Sequence, residues 1–362
     1  MKHSSRNVTI EYLRFLFAGI VVLHHSRYIL GDDHCWLLGG SLAVEFFLFV
    51  SGYLLLVSAE KRETEERTAL GQETLHFILH KLRGFYPEFF IAWLIGFGFV
   101  GAVRHRTLPQ LWTAFLEDFW ELTLVKMSGL FQNGVDGAMW YLSAMLLAMA
   151  ILYPLLRRWQ DMMTHLVCPL LALFLYGVLC RTEGHPRDPV VWLGFFYKGF
   201  VRTAAGLCVG VVIRMAVRRL QKAMPLGLTA AGNALAGIFQ VGTIFLCIRY
   251  MALRRPSRYD YFYMFLLMLL VLLTFAEIGI RLKGSIGIFL GRWSLPLYLG
   301  HLYFAQHINE IPTLADRSGG VRMAVYLMLS AGNSLAIMLL AGFWRSRKAA
   351  VKGFFKRIMV KS

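Results

Sequence analysis

Long apolar runs separated by short polar or basic segments set the rhythm of the chain. Runs near the 20 residues that a helix needs to cross a bilayer fall at about 8–30, 36–59, 84–103, 138–156, 166–180, 191–213, 226–248, 259–280, 286–307 and 322–344. This pattern predicts an all-α fold, a polytopic integral membrane helix bundle with about ten transmembrane helices. The segments between the runs leave no room for a soluble domain. Residues 1–344 therefore read as one membrane domain and residues 345–362 as a tail. Between Arg345 and Lys361 the tail carries seven Lys and Arg that alternate with Phe354, Phe355 and Ile358, a pattern suited to a helix lying on an anionic leaflet.

Two connecting segments have a pattern of their own. Glu60 to Thr74 is strongly charged and leads into Leu75 to Arg83, an amphipathic stretch that ends at Tyr86-Pro87. Between Arg104 and Asp136, Trp112, Phe115, Phe119 and Trp120 recur at three- to five-residue spacing, which fits a helix resting in the membrane interface. Such aromatics also stack on sugar rings. No internal or inverted repeat of the transporter kind is visible.

Composition agrees with the pattern. Hydrophobic residues make up 57% of the chain and charged residues 16%, with a mean hydropathy of +0.55, whereas charge alone is about 25% in soluble domains. The formal net charge of +17 does not point to nucleic acid, because the basic residues lie in short tracts between apolar runs and form no patch with interleaved aromatics. With the N-terminus inside, 22 Lys and Arg fall in cytoplasmic segments, 10 in external ones and 6 within spans. The positive-inside rule then gives a multi-pass cell-membrane protein with both termini cytoplasmic. Arg249 to Arg258 opposes the rule with four arginines: either it binds something anionic or a span there is miscounted. The five cysteines show no metal or redox spacing and read as packing residues, and no metal is expected. The first apolar run lacks a cleavable end and carries Arg14 mid-span, so it reads as a retained helix.

Candidate chemistry begins in that first run. Leu13 to Ser26 places Arg14 and then His24 and His25 inside an otherwise apolar span, where ionisable groups are costly and mark functional sites by default. Arg14 and His25 are eleven residues apart, which returns nearly to the same helix face about 16 Å further along. His25 is a candidate general base, since an unperturbed pKa near 6.5 lets imidazole take and return a proton. The alternative is a histidine bonded between helices, with Glu11 and Arg14 as a local i,i+3 ion pair. Glu45 in the second run lies at a similar depth, so it can orient His25 or neutralise Arg14. Ser51-Gly52 follows bulky residues, and this small pair can admit another backbone or a thin ligand. Lys81 and Arg83 stand where the amphipathic stretch meets the third run, placed for phosphate or for snorkelling. Arg202 and His301 are further ionisable groups within spans, each able to cap or bridge helices.

Together these residues resemble the acyltransferase-3 family of polytopic membrane acyltransferases. Arg14 and His25 resemble its basic residue, ten residues, histidine signature, which selects His25 over His24. Val44 to Tyr53 resembles its acidic, Phe-Phe and Ser-Gly-aromatic segment. Trp140-Tyr141-Leu142-Ser143 with Leu152-Tyr153-Pro154-Leu155, and Leu290 to His301, resemble two later segments. One position departs: Gly84 stands where the family carries an arginine three before Tyr-Pro's proline, with Lys81 at an earlier basic site.

The resemblance implies transfer of an acyl group, commonly acetyl from acetyl-CoA, to a hydroxyl of a cell-surface carbohydrate or its lipid-linked precursor. It implies that Lys81 and Arg83 meet CoA phosphates, that Arg14 holds polar parts of the donor, and that His25 acts as base or transient acyl carrier. Glu45 would orient it, and Ser51, Trp140, Ser143, Arg202 and His301 would line the pocket. The partners implied are acyl-CoA, the glycan acceptor and the lipid bilayer. The alternative from another class is a multi-span transporter or exporter of a small solute, for which intramembrane Arg, Glu and His would form a substrate path or proton relay.

Overall fold

The computed structural model describes residues 6–61, 69–130, 134–135, 137–224 and 227–359, with side chains to residue 347. Ten helices carry the ten apolar runs: α1 Val8–His24, α2 Ala43–Lys61, α3 Leu70–Val103, α4 Trp140–Arg158, α5 Cys168–Glu183, α6 Lys198–Ala223, α7 Ala230–Leu253, α8 Asp260–Phe275, α9 Ser285–Leu299 and α10 Gly319–Met359. Eight of the helical segments are long and apolar enough to cross a membrane alone. The other two are α8, of 16 residues, and α9, of 15. Around the Arg249–Arg258 region α7 ends at Leu253 and α8 starts at Asp260, and Arg255 pairs with Asp33 at 2.9 Å.

Small residues decide which helices touch at the centre. Gly52 on α2 lies against the backbone of Leu207 on α6, and Gly210 on α6 against the backbone of Phe49 and Gly52, so a β-carbon at either would overlap its partner. Close backbone approach of this kind is how membrane helices gain packing without a hydrophobic driving force between them. Gly287 and Gly291 of α9 instead make room for side chains of α1, those of Tyr12 and Glu11. Of the two small residues Ser51-Gly52, only the glycine serves helix packing.

Four boundaries differ from the hydropathy pattern. The amphipathic stretch before the third run is not a separate segment: α3 is one helix of 34 residues that continues through Pro87. Its first turns are docked, with buried Glu73 accepting from Arg157 Nε and Tyr153 at 2.7 Å each, and Phe77 stacked 4.0 Å from Tyr153. Proline loosens the preceding turn, and there Arg345 of α10 donates to the Gly84 carbonyl at 2.8 Å and to Glu88. The fifth run is longer than expected, because helix starts at Gln160 and passes through a π-helical turn at Met163–Val167. The sixth starts later, since a small hairpin closed by a Trp192–Tyr197 bridge, with Gly194 at φ +94°, precedes α6 and exposes Phe195 and Phe196. The ninth is broken at Gly300–His301 before a short helix, Leu302–His307. At the break the Gly300 amide still donates to the Pro296 carbonyl at 2.9 Å, while the Gly300 carbonyl turns to Asn333 Nδ2 of α10 at 2.9 Å.

The segment after α3 forms the amphipathic helix Leu108–Asp118, opened by a Thr107/Gln110 capping box and exposing Trp112. The backbone of α10 runs unbroken past residue 344, and the tail side chains beyond Arg347 lie outside the described residues, as do residues 62–68 of the charged loop.

Candidate active site

Two cavities lie along α1, and two residues line both. The first, of about 440 Å³, is lined towards the N-terminal end of α1 by Arg6, Arg14, Ser51, Lys81 and Tyr141; the second, of about 290 Å³, is lined by His24, His25, Trp140, Arg187 and Arg202. Val44 and Tyr298 belong to the walls of both.

The first cavity is lined by the cations Arg6, Arg14 and Lys81 and by the apolar side chains of Phe47, Val50, Leu54, Phe85, Met145 and Leu295. Arg14 bonds Glu11 at 3.3 Å, and Arg6 lies 3.7 Å from the other Glu11 oxygen, so one buried carboxylate holds both guanidiniums. This is the i,i+3 pair expected locally, yet Arg14 also faces the cavity. Lys81 stands over the Phe77 ring at 5.4 Å. Arg83 is exposed and lines neither cavity. The Ser51 hydroxyl lies 3.1 Å from that of Tyr141, leaving one of the two protons free to point elsewhere.

The second cavity is lined by His24 and His25, whereas His301 lines neither cavity and is buried behind His25. His301, freed by the break after α9, places Nδ1 3.1 Å from the Leu297 carbonyl, and His25 Nδ1 lies 2.9 Å from His301 Nε2. A carbonyl only accepts, so His301 Nδ1 carries the proton and its Nε2 a lone pair. His25 Nδ1–H then donates to that lone pair, and in neutral His25 the remaining Nε2 is a bare acceptor. One carbonyl thus sets the tautomer of two rings, and the outcome is the form a general base needs. His24 is held differently, with Nδ1 bonded to the Leu37 carbonyl at 2.9 Å and Gly40 packed against its β-carbon.

Glu45 does not reach His25, and it does not neutralise Arg14. Its carboxylate is fully buried and accepts from Arg202 Nε and from the Tyr176 hydroxyl at 2.6 Å each. A carboxylate in this setting needs a cation more than a neutral ring does, and α6 supplies one. Arg202 also donates to the Ser41 carbonyl at 2.8 Å and stands over Trp140 at 5.7 Å. The pair therefore backs the wall of the second cavity. Ser143 lines neither cavity; its buried hydroxyl accepts from Met127 N at 2.9 Å and fixes the turn at residues 126–128.

Sequence reasoning missed Arg187, which lies in the loop between α5 and α6. No periodicity marks it; the signal is a rigid setting, Gly184 to Pro189, with Gly184 at φ +76° and Asp188 at φ +61°. Arg187 Nη1 donates to the Leu38 carbonyl at 2.6 Å, and burial lowers its pKa while the Asp260 carboxylate acts the other way. Arg6 and Tyr141 were likewise unmarked as cavity residues.

Long apolar helices packed in this way define a multi-pass membrane protein. The sequence model of the acyltransferase-3 family, described as an acyltransferase domain, matches residues 7–343, and the chain belongs to that family. No curated protein and no solved structure matches it.

Proposed function

We propose that the protein moves an acyl group, acetyl in the simplest case, from acyl-CoA in the first cavity to a carbohydrate hydroxyl in the second. The observation that carries this reading is the wall shared by the two cavities, Val44 and Tyr298, because it brings a cation-lined donor site next to the histidine pair. Lys81, Arg14 and Arg6 hold phosphate and other polar parts of CoA, and the apolar lining takes its pantetheine chain. A carbohydrate hydroxyl in the second cavity gives its proton to His25 Nε2 while its oxygen attacks the thioester carbonyl. The tetrahedral intermediate then collapses, the C–S bond breaks, and the proton on His25 passes to the departing thiolate. His301 accepts from His25 Nδ1 throughout and holds the imidazole in place. The acceptor class proposed is a cell-surface glycan or its lipid-linked precursor, with the donor arriving from the cytoplasmic face.

The test is mass spectrometry of surface glycans from cells carrying wild-type protein, His25→Ala or His24→Ala, with membrane levels matched. An acyl mass difference present with wild type and His24→Ala and absent with His25→Ala is expected. Acylated glycan in the His25→Ala cells would overturn the base assignment. Transport of solute across vesicles without any need for CoA would favour the transporter alternative.

A further inference from the structure

Acyl transfer from a donor in the first cavity has one chemical need that the histidines do not meet. As the acceptor oxygen attacks, negative charge builds on the thioester carbonyl oxygen, and donors held ready at that oxygen usually supply the largest single contribution to such a step. The lining of the first cavity narrows the choice. Its cations, Arg6, Arg14 and Lys81, are taken by the polar parts of CoA on the proposed reading. The Ser294 hydroxyl donates to the Gly291 carbonyl at 2.7 Å, and the Tyr298 hydroxyl to the Ala138 carbonyl at 2.9 Å. The neutral side-chain donors that remain in the lining are Ser51 of α2 and Tyr141 of α4.

These two act as a unit. Their hydroxyls lie 3.1 Å apart, and among the described residues neither has another hydrogen-bond partner. Their contact uses one O–H, and the second O–H has no acceptor in the protein. Both residues are half-buried and line the cavity, so neither is sealed in the core. Their place in the bundle suits the same step. Tyr141 follows Trp140, which lines the second cavity, and its ring meets Tyr298 edge-on at 5.8 Å, Tyr298 belonging to both walls. His301, the partner of His25, packs against that same tyrosine with ring centroids 6.0 Å apart.

We propose that the Tyr141 hydroxyl donates to the thioester carbonyl oxygen and that Ser51, donating to the Tyr141 oxygen, holds the phenol in place. A phenol is the stronger donor of the two, and accepting from Ser51 strengthens it further. No proton leaves Tyr141. While the acceptor oxygen bonds to the carbonyl carbon and its proton goes to His25, the carbonyl electron pair moves onto oxygen, where the Tyr141 hydrogen bond tightens; the pair returns when the C–S bond breaks. Tyr141 is then a catalytic residue and Ser51 a positioning residue, and both assignments rest on the reading of the first cavity as the donor site.

Isotope-edited infrared spectroscopy of carbonyl-labelled acetyl-CoA on the purified full chain reads this bond without turnover, in a His25→Ala background that lacks the proposed base. The carbonyl band should lie lower in His25→Ala than in His25→Ala/Tyr141→Phe, with His25→Ala/Ser51→Ala between them. In chains that keep His25, Tyr141→Phe retains the ring against Tyr298 and should lower kcat about 100-fold, with KM for acetyl-CoA within about twofold because the bond strengthens in the transition state. Ser51→Ala should lower kcat about tenfold, and Ser51→Thr, which keeps the hydroxyl, should restore it. An identical carbonyl band with and without the Tyr141 hydroxyl, or wild-type kcat in folded Tyr141→Phe, would overturn the assignment. An acyl ester trapped on Ser51 would also overturn it, by making the serine a nucleophile. Absence of acetyl-CoA binding to both wild type and His25→Ala would instead remove the donor-site reading, and this assignment with it.

Discussion

His25 Nδ1 stands 2.9 Å from His301 Nε2, across 276 residues of sequence. In this relationship a neutral imidazole occupies the place that a carboxylate fills in a Ser-His-Asp triad, so it fixes tautomer and orientation while offering less to a developing imidazolium. The expected cost of His301→Ala is therefore a fall in kcat of about 10- to 100-fold, smaller than the roughly 10⁴-fold loss when a triad aspartate is neutralised. His301→Gln, whose amide oxygen can accept from His25 Nδ1–H, should recover part of it. Both variants should keep the wild-type KM for acyl-CoA. Steady-state kinetics in proteoliposomes check this, and an unchanged kcat in His301→Ala would remove the relay from the mechanism.

Glu45 and Arg202 give a stability prediction. Both are buried, and removing one member of such a pair leaves an unmatched charge, which costs about 3–5 kcal/mol. Arg202→Met and Glu45→Leu should each lower thermal stability by that order. The double variant should recover much of the loss, because replacing a whole buried pair by apolar residues is often close to neutral. Thermal unfolding in detergent measures all three. Losses that simply add would mean that the two charges do not depend on one another.

Lys81 and Arg83 provide a contrast within two residues of each other. Lys81 lines the first cavity and Arg83 is exposed on another face of α3. Lys81→Ala should raise the KM for acyl-CoA about tenfold, the worth of one charge-assisted contact, while Arg83→Ala leaves it unchanged. Equal effects would place the phosphates outside the cavity.

In the connection between α9 and α10, Glu310 joins Arg104 Nε at 3.1 Å and His307 Nδ1 at 2.8 Å. The bond from Arg104 holds the Glu310 carboxyl below its ordinary pKa of 4.5. A depressed carboxylate contributes stability above its unfolded pKa and loses it as pH falls through the folded value. Glu310→Gln should thus be slightly less stable than wild type at pH 7 and equal to it once the pH falls well below 4.5. The pair is largely exposed, so solvent screening keeps the difference below about 1 kcal/mol. Thermal unfolding across that pH range is the check, and a difference that persists at low pH would argue against the linkage.

The ten runs were legible because a bilayer demands about 20 apolar residues per crossing. What happens at their ends was not. Val190 to Phe196 is as apolar as a span, but Gly194 and the Trp192–Tyr197 bridge fold it into a hairpin. Pro87 reads as a stop, yet helix continues where Arg345, from the far end of the chain, meets the Gly84 carbonyl. The site shows the same division. Arg14, Lys81 and His25 stand out because polar groups are conspicuous in apolar surroundings. The partners of Glu45 and His25 come from α6 and from the break after α9, and no local spacing announces a pairing 157 or 276 residues away.

Val44 offers the most direct test of the wall that the two cavities share. It is buried, it shares the common wall with Tyr298, and its side chain lies one position before Glu45, whose pairing with Arg202 fixes this part of α2. On the proposed mechanism a thioester in the first cavity has to pass this wall to reach His25, so extra bulk here should separate donor from base without touching either. Val44→Phe should keep acyl-CoA affinity within about twofold and cut transfer about 100-fold, since displacing reacting groups by an ångström is enough for such a loss. Overpacking costs about 1–3 kcal/mol, so thermal unfolding must accompany the kinetics. Val44→Ala controls for folding: it thins the wall, keeps transfer and raises the side reaction of acyl-CoA with water. Wild-type transfer by folded Val44→Phe would show that the acyl group crosses elsewhere, and the shared wall would lose its place in the mechanism.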